Sequence, residues 1–137
     1  WSSRMTVQDH LRQARHNEDL AQKLGNKPLE AYDWAITVLF YCILHFVDAY
    51  LLERYQIIPK GHTARLDRKT GQMTQGRNDY VRLHLPGIYG AYTRLYNASM
   101  KARYEGAYLA LGSVGYYQKL RDNEFASARG FFRQLGW

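Results

Sequence analysis

The sequence predicts an all-α fold, an up-and-down bundle of four long helices plus one or two short ones. Three observations carry that expectation. From Leu29 to Gln56 there is no glycine or proline, and the span from Trp34 to Leu52 is apolar on nearly every side, as the central helix of a bundle is. Apolar residues elsewhere recur three and four apart, and no segment alternates with the period of two that marks a half-buried strand. Most glycines and prolines fall between these stretches, where the chain must turn.

Taken in order, Thr6 and Asp9 have the spacing of a capping box, and Leu11, Ala14, Leu20, Ala21 and Leu24 then mark one face of a first helix that stops at Gly25. Pro28 is placed to open the second helix, whose stripe is Trp34, Val38, Tyr41, His45, Ala49 and Leu52. Its residues Trp34, Val38, Tyr41, Cys42 and Phe46 are expected to be inaccessible. Residues 57–79 hold Pro59, Gly61, Gly71 and Gly76, and read as a loop, a short helix from about Thr63 to Lys69, and a second polar loop. Pro86 starts a third long helix with Ile88, Tyr92, Leu95, Tyr96 and Ser99 on one face as far as Arg103. The pattern lapses from Gly106 to Gly115, and Val114, Tyr117, Leu120, Phe125, Ala128, Phe131 and Leu135 restore it to the end.

Residues 1–137, 46% of them hydrophobic, are enough for one domain with a real core. With three prolines, no Ser/Gly-rich stretch and no long run of one charge, there is no linker at which to place a second domain. The single cysteine, Cys42, excludes a disulfide within the chain and a cysteine-based zinc site, which suits a reducing, cytoplasmic setting. The chain begins with Trp1 in place of Met, compatible with a trimmed or partial form, and no charged segment leading into an apolar one suggests a secretory signal. The Trp34–Leu52 span is long enough to cross a bilayer, but His45 and Asp48 interrupt it, and both would have to be hidden from lipid. Twelve tyrosines and a mean hydropathy of −0.52 also favour a water-soluble protein without a membrane partner.

Charge is unevenly distributed. Lys60, Arg65, Arg68, Lys69, Arg77, Arg82, Arg94, Lys101 and Arg103 lie in one stretch against only Asp67 and Asp79, which accounts for the whole net charge of +7. Tyr80, Tyr89, Tyr92, Tyr96 and Tyr104 are interleaved with them. Cations that neutralise phosphates beside rings that stack on bases point to RNA or a nucleotide. The same residues also suit a solvated basic surface over tyrosines that belong to the core, since Tyr92 and Tyr96 fall on an apolar face.

The string Phe40-Tyr41-Cys42-Ile43-Leu44-His45, followed by Lys60-Gly61-His62-Thr63 and then by Leu95-Tyr96, Ala102-Arg103-Tyr104 and Ala107-Tyr108, resembles the signature segments of the HEPN superfamily of prokaryotic helical domains. It departs from them at Glu105 and Gly106. The resemblance covers roughly residues 30–135. It implies a helical domain that usually dimerises, in many members with an Arg-x4–6-His motif that forms a metal-independent ribonuclease site across the dimer. Two spacings here match. Arg77 and His84 have six residues between them, with the polar Asn78 after the arginine as that motif prefers, but Leu85-Pro86-Gly87 breaks the chain directly after His84, whereas the family's motif opens the last long helix. The second spacing is Arg4 to His10. A shuffled chain of this composition would hold about 1.4 such pairs, so spacing alone says little.

Other candidates are His45 and Asp48, three apart on the central helix, where His45 is expected to bond Asp48 or Tyr41 rather than a metal. His62 and Arg65 could offer a phosphate two cations at the start of the short helix, with Thr63 as its cap. Cys42, in apolar surroundings, is a poor nucleophile. No phosphate-binding glycine loop, His-Glu-x-x-His or Gly-x-Ser-x-Gly is present, and no cofactor or metal is expected. Two functions therefore compete. One is an RNA- or nucleotide-directed domain of a defence or toxin system, with Lys60, His62, Arg65, Arg68, Arg82, Arg103 and Tyr104 as binding residues and Arg77 with His84 as a catalytic pair. The other is a non-catalytic, homodimerising scaffold that docks on a partner protein such as an antitoxin or a nucleotidyltransferase.

Overall fold

The computed structural model describes residues 4–104 and 114–137, and these are mostly helical. The chain forms α1 (Val7–Gly25), α2 (Tyr32–Tyr55), a hairpin of strands β1 (Arg65–Leu66) and β2 (Met73–Thr74), α3 (Arg77–His84), α4 (Pro86–Tyr104), α5 (Val114–Leu120) and α6 (Ala126–Gln134), the last two joined through a π-helical turn at Arg121–Phe125. Glu105, Gly106, Ala107 and Tyr108, together with most of the lapse that the sequence shows at 106–115, lie outside the described residues, as does the side chain of Tyr104.

The first helix begins as its sequence dictates. The Thr6 hydroxyl accepts from the Asp9 N–H at 3.1 Å, and the Asp9 carboxylate accepts from the Thr6 N–H at 2.9 Å. At its far end Gly25 has a packing reason, because a Cβ there would sit 2.4 Å from the ring of Tyr117. Pro28 does not open the second helix. It lies in a turn tied back to α1 by Glu30 N–H to the Asn26 carbonyl and Ala31 N–H to the Leu24 carbonyl, so helical bonding starts only with Ala35 N–H to the Ala31 carbonyl. At the other end Gln56 adopts the left-handed conformation, with φ 54°, and closes α2 by donating to the last carbonyls.

α2 is the core of the molecule: 78% of its most apolar stretch is buried, although by length and composition it could cross a membrane. Ala14 and Ala21 let α1 approach it closely, Ile88, Tyr92, Leu95 and Ser99 of α4 close another side, and Phe132 of α6 stacks on Phe46 with centroids 5.2 Å apart. Cys42 and Phe46 are fully buried, as expected. Trp34 is not, being 58% exposed, and Val38, Tyr41, His45 and Leu52 are only partly covered. The neighbouring helices pack on the other sides, so most of the stripe picked out in the sequence is the least covered edge of α2. Leu20 of α1 is likewise at the surface.

Residues 63–69 do not form the expected short helix. Arg65 pairs with Thr74 and Leu66 with Met73 in an antiparallel hairpin, whose turn is held by Asp67 accepting from the Lys69 N–H and by Gly71 at φ 71°. Thr63 is therefore no helix cap. Its backbone packs on Gly76, where a Cβ would lie 2.3 Å from the Thr63 carbonyl carbon. The short helix comes later, as α3, with the Asp79 carboxylate accepting from the Gly76 N–H. α4 starts at Pro86 and buries the predicted face. In the C-terminal stretch Leu120 and Phe125 are both buried although five apart. The π-helical turn between them absorbs the extra residue and keeps one face inward.

Candidate functional site

The least covered edge of α2 carries Tyr41, His45 and Asp48, spaced four and three apart and so stacked on one side of the helix. Three other segments converge on it. α1 brings His10, the loop after Ile58 brings Lys60 and His62, and α3 begins with Arg77. The loop is pinned to α3 by backbone bonds, Arg77 N–H to the Gly61 carbonyl at 2.7 Å and Asn78 N–H to the His62 carbonyl at 2.9 Å. These bonds also satisfy two amides at the start of α3.

Arg77 and Asp48 form a two-pronged ion pair at the back of the site, Nε to Oδ1 at 2.7 Å and Nη2 to Oδ2 at 3.1 Å, with both side chains about nine-tenths buried. The third guanidinium edge, Nη1, donates to His62 Nδ1 at 3.1 Å. A guanidinium only donates, so His62 Nδ1 carries a lone pair and the ring proton sits on Nε2. His10 and His45 face each other Nδ1 to Nδ1 at 3.0 Å, one ring donating to the other. This corrects the expected partner of His45, since Asp48 is occupied by Arg77, and Tyr41 by Arg103, whose Nη1 donates to the phenol oxygen at 2.6 Å.

All three imidazoles are held below the ordinary histidine range. Burial is the first cause at each. His45 is lowered further by His10 and reaches about 4. His62 is lowered further by Arg77 and Arg103, and His10 by Arg77, while Asp48 acts against these cations at every ring. The result at neutral pH is three uncharged rings around a buried ion pair: His62 spends its lone pair on Arg77 and offers only its Nε2–H, and of the His10–His45 pair the ring that donates Nδ1–H keeps an accepting Nε2.

In front of this wall is an open cleft of about 480 Å³, lined by His10, His45, His62 and Arg77 and edged by Lys60 and Arg65. Neither Lys60 nor Arg65 is ion-paired among the described residues. The cleft can therefore receive an anion on two cations, beside neutral imidazoles that can hydrogen-bond to it.

Of the residues singled out in the sequence, Lys60, His62, Arg65 and Arg77 meet here, with Arg103 at the margin through Tyr41. Arg77 is not in a loop but is the first residue of α3, and its charge is spent on Asp48. Arg68 is exposed on the hairpin turn, Arg82 lies on the outer side of α3 facing Asp79 at 3.8 Å, and neither lines the cleft. His84 is at the opposite end of α3, stacked on Tyr55 with centroids 4.0 Å apart. Within one chain the structure does not bring Arg77 and His84 together. Of the tyrosines, Tyr92 is fully buried and donates to the Asn78 side chain at 2.9 Å, and Tyr96 packs between Phe40 and His62. His10 was visible in the sequence only through its spacing from Arg4. Cys42 is buried, and burial raises its thiol well above the usual range. Among the described residues no three His, Cys, Asp or Glu side chains are placed to share a metal ion.

Comparison of the chain with protein-family models, curated proteins and solved structures finds no match to any of them.

Proposed function

We propose that this chain is a HEPN-like domain, an up-and-down helical bundle of a prokaryotic defence or toxin-type system, that binds RNA or a nucleotide in the histidine-lined cleft. The observation that carries this reading is the convergence of two exposed cations, Lys60 and Arg65, on three neutral imidazoles above the buried Arg77–Asp48 pair. Arg77 holds His62 in place, and Lys60 and Arg65 take the phosphate. The water-soluble character of the reading is supported by the burial of α2 among the other helices.

Fluorescence anisotropy with a short single-stranded RNA tests it. The double variant Lys60→Glu, Arg65→Glu reverses two exposed charges and should weaken binding by about tenfold or more. A wild-type protein that binds no RNA or nucleotide at low salt would sink the proposal. Ribonuclease action through Arg77 and His84 is a narrower form of it. The two side chains are seven residues apart on α3, a rise of about 10 Å, so cleavage needs a homodimer that presents His84 of one copy to Arg77 of the other. His84→Ala should then abolish cleavage and leave binding intact, and light scattering at micromolar concentration should find a dimer.

The second reading, a dimerising scaffold that docks on a partner protein, is favoured by the exposed Leu66 and Met73 of the hairpin and Leu83 of α3, each 60–62% accessible. It predicts no salt-dependent RNA binding.

A further inference from the structure

The cleft has a second compartment. Beside it lies a hollow of about 210 Å³ walled by Met5, Leu52, Ile57, Ile58 and Pro59, and the two share Met5, His10, Asp48 and Pro59. The hollow is apolar on its walls and polar only where it meets the cleft, at His10 and Asp48, and at Arg4 on its rim. The larger compartment carries the cations Lys60 and Arg65. An anion alone would use the larger compartment and leave the hollow unfilled. An alkyl chain would fill the hollow and gain nothing from the polar groups at its edge. A nucleotide matches both: a flat ring system with hydrogen-bonding groups on its rim, joined through a ribose to a phosphate.

We propose that the unit recognised is one unstacked ribonucleotide, its base in the Met5–Leu52–Ile57–Ile58–Pro59 hollow and its phosphate between Lys60 and Arg65. This deepens the reading of the cleft as an RNA or nucleotide site and rests on it. A base that enters an apolar slot must leave its stack, so the site selects single-stranded RNA, loops or mononucleotides over a duplex. His10, shared by both compartments and held uncharged, sits at the junction, where a base edge or a ribose hydroxyl would lie.

The experiment is a calorimetric titration of the whole chain with the four ribonucleoside 5′-monophosphates and with ribose 5-phosphate. At least one nucleotide should bind about tenfold or more tightly than ribose 5-phosphate, the factor that burying a base contributes. Ile58 is 47% exposed and lines the hollow but not the cleft, so Ile58→Asn can be made without opening the core or adding a charge beside the phosphate. It should bring the nucleotide down to the affinity of ribose 5-phosphate and leave ribose 5-phosphate binding unchanged. In competition against labelled single-stranded RNA, a blunt duplex of the same sequence should be at least about tenfold weaker. Two results separate this inference from the reading beneath it. If single strand, duplex and ribose 5-phosphate all bind with the same dependence on Lys60 and Arg65, the base pocket is wrong and the phosphate site stands. If no phosphate-bearing compound binds at low salt, both fall.

Discussion

Asp48 shows how far one residue could be read in advance. A carboxylate inside an apolar helix must find a cation, since an unpaired buried charge is among the costliest features a fold can hold. The sequence therefore demanded a partner, and the one expected, His45, is not the one the fold supplies. Arg77 lies 29 residues away, and the path between is a hairpin that brings the two together. Asp48→Ala should cost about 3–5 kcal/mol in chemical denaturation, because it strands the Arg77 guanidinium in the core, and Asp48→Leu with Arg77→Met should recover most of that loss. A single variant that costs less than 1 kcal/mol would mean Arg77 escapes to water. The histidines give a second prediction. His10, His45 and His62 all have folded values below their unfolded value of 6.5, so protons bind the unfolded chain better. Stability should be full above about pH 6.5 and fall as the pH drops toward 4, where His45 itself titrates in the folded state. The lowered carboxylates Asp9, Asp67 and Asp122 act only below 3.8, so the window between belongs to the imidazoles. Urea midpoints at pH 7.5 and 5 check this, and His45→Gln should flatten the difference.

Among the elements, the long helices were legible because their signals are local and repeated: the Thr6–Asp9 box, the unbroken run to Gln56, and Pro86 with a face recurring every three or four residues. The hairpin was not. Strands of two residues are too short for alternation to show, and Arg65–Lys69 is held by turn bonds to Asp67 and by the docking of Thr63 on Gly76, neither of which leaves a periodic trace. α3 was missed for the same reason, since its eight residues bury only Arg77 and Val81, a polar and an apolar side chain that periodicity does not join. Two substitutions probe these elements. Gly76→Ala meets the backbone of Thr63, which cannot swing aside as a side chain can. It should destabilise by about 1–3 kcal/mol and weaken ligand binding through the displaced loop. Phe46→Ala removes the ring stacked on Phe132 and lying under the Arg129 guanidinium at 4.4 Å, and should cost about 3–5 kcal/mol. A denaturation experiment that showed Phe46→Ala as mild as an exposed change would remove α2 from the centre of the fold.

At the scale of the whole molecule the net charge of +7 belongs to residues 60–103, but the fold divides it in a way that composition could not show. Arg77 is neutralised by Asp48 inside the protein, Arg94 is drawn to Glu124 at 3.2 Å, and Arg82 leans on Asp79. Lys60 and Arg65 remain at the cleft, with Arg68 and Lys69 beyond them on the hairpin turn. A basic stretch that would suggest several phosphate contacts thus offers two cations, flanking one phosphate, at the site itself. Each phosphate neutralised on a single strand contributes roughly 0.7 to the salt dependence, so the logarithm of affinity should fall against the logarithm of salt with a slope near −0.7 for a short RNA. For a strand long enough to reach Arg68 and Lys69 the slope should steepen toward about −2.1. Lys60→Glu with Arg65→Glu should flatten the short-RNA slope almost to zero. Arg82→Glu should leave it unchanged, because that guanidinium points away from the cleft. Filter binding from about 50 to 200 mM salt measures both. A slope that responds to Arg82 as strongly as to Arg65 would place the nucleic acid across the outer side of α3 and remove the cleft as the binding site.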